Sequence, residues 1–404
     1  MEFRTRIAAR MAEIAPFHVM EVQTAARALE AAGRTVIHME IGEPDFPTPA
    51  PVLAEAQRAI AQGDIYYTSA LGLPELRAAI AAHYADHYGV SVDAERVIVT
   101  AGSSAALLLV NALLVNRDER ILLADPGYPC TRHFVRVLEG EPIGIPVGPE
   151  SNYQLTADLI ERNWSPLTRG ALVASPSNPT GTSMTADEMK RVVAMVARLG
   201  GRLIVDEIYL GLTYDHAPRS ALTFTDDAFV ISSFSKYFNM TGWRLGWVVA
   251  PKHHVRDLEK LAQNLYISPP TLSQRAALAC FRPDTLALLE ERRLAFRSRR
   301  DLLVPALRSL GFGVPVTPDG GFFVYADCSR FCDDSERFCR DALEGAGVAI
   351  TPGIDFGRHR ASAHVRFAYT IGQAKIEEGI ARLARFLSRG ASRKSSMASG
   401  EISK

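Results

Sequence analysis

The segment Ser232-Ser233-Phe234-Ser235-Lys236, followed by Thr241-Gly242-Trp243-Arg244-Leu245-Gly246, places one lysine among hydroxyls and shortly before an arginine. A lysine just past a strand end can form a Schiff base with a carbonyl group, while a neighbouring arginine and hydroxyls hold a phosphate. Asp206, in Leu203-Ile204-Val205-Asp206-Glu207-Ile208-Tyr209, ends an apolar run of the kind that forms a buried strand. Active groups of open α/β sheets collect at such strand ends. Asn178 lies in the turn Ser175-Pro176-Ser177-Asn178-Pro179-Thr180-Gly181, where prolines fix the backbone and leave the amide free to face a ligand. Thr100-Ala101-Gly102-Ser103-Ser104 stands between a strand pattern and a helix pattern, where backbone N–H groups attract anions.

Each of these residues has a plainer reading. Taken singly, Lys236 is a solvated loop lysine, Asp206 a helix N-cap, Ser103 a cap, and Tyr209 or Tyr128 a packing tyrosine. In combination they supply an amine for covalent chemistry, a carboxylate able to keep a pyridine nitrogen protonated, and two phosphate-binding elements. Pyridoxal 5′-phosphate requires all of these.

The elements that must position these groups alternate helix and strand, which predicts an α/β fold around a mainly parallel sheet. Short runs apolar on both faces predict strands at 97–100, 121–124, 171–175, 203–205, 228–232 and 245–250. Helices are expected at 74–88, 103–114, 185–199 and, as a long charged link between two domains, 283–310. Strands at 321–326, 348–350 and 364–368 with a last helix at 373–387 indicate a smaller α+β domain, which a helix at 17–32 joins. The expected division is therefore a large domain over 45–290, a small domain from 1–44 and 291–388, and a mobile tail over 389–404, where Ser, Lys and Gly replace apolar periodicity.

The chain has 404 residues, 47% of them apolar, enough to bury a sizeable core. Its 45 basic and 45 acidic residues balance, so no global field would hold nucleic acid or an anionic membrane. The longest nearly unbroken apolar run, 105–115, is well short of the roughly 20 residues that span a bilayer. The N-terminus, with Arg4, Arg6 and Arg10 beside Glu2 and Glu13, lacks the apolar core of a secretory signal and reads as a helical arm. Five scattered cysteines make no disulfide framework, and the spacing of Cys328, Cys332 and Cys339 matches no zinc pattern. Reduced thiols, a cytoplasmic location and no metal are expected.

Lys236 with Ser233 and Arg244, Asp206 with Tyr209, Asn178 before Pro179, and Arg366 in His364-Val365-Arg366-Phe367 resemble, in order and spacing, the class I and II aminotransferases. The likeness to these fold-type I pyridoxal-phosphate enzymes runs from Ile41-Gly42-Glu43-Pro44-Asp45-Phe46 to the last helix. The resemblance implies Lys236 as Schiff-base lysine and proton shuttle, with Asp206 and Tyr209 also catalytic. It implies Ser103, Ser104, Ser233 and Arg244 as phosphate ligands, Asp206 on the pyridine nitrogen, Tyr209 and Asn178 on the phenolate oxygen, and Tyr128 stacked on the ring. Arg366, assisted by Gly42 and Asn178, would hold the substrate α-carboxylate.

In Tyr66-Tyr67-Thr68-Ser69-Ala70-Leu71-Gly72, the resemblance implies that Tyr67 reaches the phosphate of a neighbouring subunit, which requires a homodimer with shared sites. Loops at Thr351-Pro352-Gly353, Phe356-Gly357 and Gly320-Gly321-Phe322-Phe323 are expected to close over substrate. The implied reaction is transfer of an amino group from an L-amino acid to a 2-oxo acid by a ping-pong route. A prokaryotic aspartate-type subgroup commonly carries a lysine where Ser104 stands, and its absence points to neutral or aromatic donors. The same lysine and clamp would serve a carbon–sulfur lyase, which is the alternative reading. A ligand-sensing regulator on this fold needs an added DNA-binding module, for which the tail is too short.

Overall fold

The computed structural model describes residues 7–400, with side chains through residue 389. Its strands are β1 (Ile37–His38), β2 (Val97–Thr100), β3 (Arg120–Asp125), β4 (Glu141–Pro146), β5 (Thr168–Ala174) and β6 (Arg202–Asp206). They continue with β7 (Ala228–Ser233), β8 (Gly246–Val249), β9 (Phe323–Asp327), β10 (Val348–Ala349), β11 (Thr351–Pro352) and β12 (His364–Ala368). Seven of them form one sheet in the order β2-β8-β7-β6-β5-β3-β4, parallel except where β8 pairs with β2 and β7. This is the α/β, mainly parallel sheet that the alternating pattern predicts.

Both faces of that sheet are covered, and alternate residues of each strand feed opposite cores. Val97, Val99, Leu203, Val205 and Val230 pack to one side. Ile98, Ile204, Phe229, Ile231 and Val248 pack to the other, against Leu107 and Val110 of the helix Ser103–Leu114. Helices 74–88, 103–114 and 283–310 start and end where the sequence places them.

Several elements differ from expectation. β4 was not expected, because Pro142, Gly144 and Pro146 interrupt its pattern. It pairs only with β3, and a sheet edge tolerates proline because half its backbone donors face outward. Helices Ala50–Gln62, Pro129–Val137, Val255–Leu265 and Ser335–Ala346 were likewise unassigned. The final helix runs from Gln373 to Gly400 rather than stopping at 387, since no proline interrupts the backbone; residues 401–404 of the expected tail lie outside the described residues. The expected N-terminal arm contains a short 3-10 turn, Ala9–Glu13, and residues 1–6 are likewise outside the description.

A second sheet, β11-β12-β9, is antiparallel and carries Arg366 opposite Tyr325 and Thr351. The segment after β1 lies beside it: Ala368 N–H donates to the Met39 carbonyl at 2.7 Å, and Thr370 Oγ1 to that of Ile41 at 3.0 Å. The helix Pro283–Leu310 connects the two regions, its buried Arg299 holding Asp45 through bonds of 2.7 and 3.1 Å.

Candidate active site

The C-terminal ends of β5, β6 and β7 converge with β12 on one cavity. β6 delivers Asp206 and the turn after it Tyr209; the turn after β5 delivers Asn178, and the loop after β7 delivers Lys236. Parallel strands end on the same sheet edge, so groups far apart in sequence meet there. Gly42, Ser103, Tyr128 and Arg366 complete the expected residues on the cavity wall.

Lys236 Nζ donates to the Gly42 carbonyl at 2.7 Å and lies 5.8 Å from the Phe322 ring centre. Burial pulls its amine down to about 8, with Arg366 and Arg244 acting in the same direction and Glu43 and Asp206 against it. Asp206 is buried, and burial raises its carboxyl to about 6, although the Ile208 N–H (3.0 Å) and Lys236 favour the ionised form. The N-cap reading of Asp206 does not hold: its bond to the Ile208 N–H closes a turn, and the short 3-10 segment that follows, Leu210–Leu212, starts from Tyr209. Burial pushes the Tyr209 and Tyr128 hydroxyls upward, so both stay protonated donors at neutral pH.

Arg366 is 2% exposed. Its Nη1 donates to Asn178 Oδ1 at 3.0 Å, and its Nη2 to the Glu40 carbonyl and to Thr351 Oγ1. The guanidinium stacks on Phe323 and Phe356 at 4.2 and 4.7 Å from their centres, and its buried Nε has no protein partner. Burial lowers its pKa to about 10, still charged at neutral pH. A buried cation with an unsatisfied donor is built to receive an anion. Gly42, expected beside this arginine, gives its carbonyl to Lys236 instead; its lack of a side chain leaves room for Phe323, whose ring atoms come within 2.5 Å of where a Cβ would stand.

A pyridoxal phosphate would find a cradle here. Gly102, at φ +82°, immediately precedes the helix Ser103–Leu114, and the Arg244 Nη2 lies 2.7 Å from the position a Cβ on Gly102 would take. The helix N-terminus and the guanidinium therefore face one small space suited to a dianion. Ser233, the last residue of β7, is buried and does not line the cavity; its hydroxyl donates to the Leu245 carbonyl at 3.1 Å and accepts the Ser235 N–H at 3.0 Å. Ser104, next along the helix, does not line the cavity. Tyr67 stands apart, 79% exposed, in a loop that Thr271 and Gln274 hold through Tyr66 O (2.6 Å) and Thr68 Oγ1 (3.1 Å).

The sequence reasoning missed one wall of the cavity: Phe17, Val19 and Met20, at the start of the helix His18–Ala31. Apolar residues in a helix read as core, and nothing in their spacing reveals a ligand-facing role. Asp355, which binds this helix start, was missed for the same lack of a motif.

Comparison with known proteins agrees with this geometry. Residues 34–383 match the profile of the family described as aminotransferase class I and II. The chain is 39% identical to the valine–pyruvate aminotransferase of Mycobacterium tuberculosis, over 95% of this chain and 98% of that protein. It is 32% identical to the aspartate/prephenate aminotransferase of Thermus thermophilus, over 94% and 98%. The crystal structure of an aminotransferase from Mycobacterium tuberculosis superposes with a TM-score of 0.91 at 39% identity, covering 95% of this chain and 99% of that one. With match and geometry in agreement along nearly its whole length, the chain belongs to the class I and II aminotransferases and is an amino-group-transferring enzyme.

Proposed function

We propose that the protein moves the amino group of a neutral, apolar L-amino acid to a 2-oxo acid, with pyridoxal 5′-phosphate bound at Lys236, Asp206 and the Arg244 cradle. The observation that carries the donor class is the cavity wall: Phe17, Val19 and Met20 face the site, and Arg366 is its only arginine among the described residues. One arginine serves the α-carboxylate, and with Lys236 committed to the cofactor no second arginine of this chain lines the wall for a side-chain carboxylate. The Mycobacterium relative, named for valine and pyruvate, supports the same class. The relatives compared are named as aminotransferases, so amino-group transfer is favoured over carbon–sulfur elimination.

When bound, pyridoxal phosphate supplies an aldehyde carbon for the amine and a protonated ring nitrogen that draws electron density from the substrate Cα. Lys236 would be the residue that anchors the cofactor through its amine, and its Nζ would serve as the base for the substrate Cα proton. A pKa near 8 leaves a usable fraction of free base at neutral pH. Asp206 would keep the ring nitrogen protonated, Tyr209 and the Asn178 amide would donate to the phenolate oxygen, and Tyr128 would pack against the ring, all four lining the same cavity. Arg366 clamps the α-carboxylate and so orients the Cα–H bond toward Lys236.

The site is completed in a homodimer. Tyr67 is presented on a braced loop, and Leu53, Ile60, Ile65, Leu265 and Ile267 are exposed on that loop and the segments packed with it. Large exposed apolar side chains in such a cluster mark a protein interface. The division into units 45–290 and 1–44 with 291–388 is in keeping with the Arg299–Asp45 pair at their junction. A cytoplasmic location accords with five cysteines free of disulfides.

The deciding experiment adds single amino acids to the cofactor-loaded protein without an acceptor. Conversion of the cofactor to its pyridoxamine form by valine, leucine or phenylalanine, with stoichiometric 2-oxo acid, is expected. Ammonia release with unchanged cofactor would show elimination, and selective conversion by aspartate alone would overturn the donor class.

A further inference from the structure

Asp355 lies in the turn Gly353–Asp355 between β11 and β12, and its carboxylate is 1% exposed. Oδ1 accepts the His18 N–H at 3.0 Å, and the neighbouring Val19 N–H also favours the ionised carboxylate. His18 opens the helix His18–Ala31, whose N-cap position is Phe17, a residue with no side-chain acceptor. Asp355 thus brings from a distant part of the chain the cap that the local sequence lacks.

The capped helix start is the apolar wall of the cavity. The turn that delivers the cap is itself anchored to the large sheet. Arg132 donates to the Asp355 carbonyl, the Gly127 N–H to the Phe356 carbonyl at 2.9 Å, and the Arg358 N–H to Asp125 Oδ2 at 3.0 Å. β12, beyond the turn, carries Arg366, whose charge favours the ionised form of Asp355 against the burial that raises its pKa. One carboxylate therefore connects the carboxylate clamp, the sheet edge and the apolar wall.

We propose that Asp355 is a positioning residue that fixes Phe17, Val19 and Met20 over the substrate cavity and thereby sets the preference for bulky apolar donors over small ones. This rests on the donor class proposed above.

The test compares cofactor-loaded wild type, Asp355→Ala and Asp355→Asn with leucine and with alanine as donor. Asp355→Ala raises KM for leucine about five- to tenfold, the scale of a lost helix N-cap, and leaves KM for alanine within about twofold and kcat unchanged. Asp355→Asn keeps the Oδ1 acceptor and restores KM; Oδ2, which it replaces, has no protein partner. His18→Pro removes one donor at a helix position that accepts proline, and shifts KM for leucine in the same direction but less, because the Val19 N–H remains. Amide exchange in the first turn of the helix, read without turnover, accelerates in Asp355→Ala.

Equal KM rises for leucine and alanine, an Asn variant that behaves like the Ala variant, or unchanged amide exchange would overturn the inference. A wild type that converts neither donor defeats the proposed donor class, and amide exchange then still decides whether Asp355 holds the helix.

Discussion

Lys236 Nζ lies 2.7 Å from the carbonyl oxygen of Gly42, so the reactive amine is held between the loop after β7 and the segment after β1. These parts of the chain are separated by most of the large sheet, and the hydrogen bond fixes where the amine points before any ligand arrives. The amine can donate this bond in either protonation state, so losing its proton does not require losing its position.

Capture of pyridoxal phosphate by the apoprotein needs the free amine of Lys236. With a pKa near 8, lowered chiefly by burial, the capture rate rises about tenfold per pH unit below that value and levels off above it. Stopped-flow absorbance across pH 6–10 measures this, and a flat profile would refute it. Lys236→Ala leaves no borohydride-reducible covalent adduct.

Removing Arg366, the proposed carboxylate clamp, is expected to separate substrate binding from cofactor binding. Arg366→Ala keeps the cofactor spectrum but raises KM for the amino donor roughly 100-fold or more, the scale of two lost charge-assisted hydrogen bonds. Arg366→Lys recovers only part, because an ammonium cannot make the paired contact. A KM within threefold of wild type in the alanine variant would contradict the assignment.

In the proposed shared site, Tyr67 acts across the subunit boundary. Tyr67→Phe raises the dissociation constant for pyridoxal phosphate about three- to tenfold, one hydrogen bond's worth, while sedimentation still reports a dimer. A monomeric wild type, or unaltered cofactor affinity in the variant, argues against the shared site.

His38 makes stability depend on pH. Its Nδ1 bonds Glu40 Oε1 at 2.7 Å, which raises its pKa to about 8, and its Nε2 lies 3.2 Å from Glu30. A raised folded-state pKa gives stabilisation that is complete below 6.5 and lost as pH climbs through 8. His38→Gln therefore lowers the thermal midpoint by roughly 1–3 °C at pH 6 and leaves it unchanged at pH 9. Equal losses at both pH values would show that packing, not charge, is what the residue contributes.

Much of the catalytic layer was legible because its chemistry demands rare combinations. A lysine, an aspartate and an Asn-Pro turn at successive strand ends admit few explanations, and the structure gathers Lys236, Asp206 and Asn178 at one cavity. Strands β2, β5, β6 and β7 were legible from apolar runs, since burial on both faces writes a continuous pattern. β4 was hidden by two prolines that only its edge position tolerates. Phe17, Met20 and Asp355 were hidden for a different reason: their roles arise from contacts hundreds of residues apart, as between His18 and Asp355, and leave no local signature.

The groups proposed to perform chemistry and those proposed to face the donor side chain belong to separate pieces of the chain. Lys236, Asp206 and Asn178 hang from strands of the large sheet, whereas Phe17, Val19 and Met20 ride on a helix that contributes no strand to it. On that proposal, selectivity is modular. New donor preferences can be written into residues 17–20, with Asp355 as their hinge pin, while the reactive layer keeps its geometry; a small gene library confined to those codons is the economical route to variants with altered appetite.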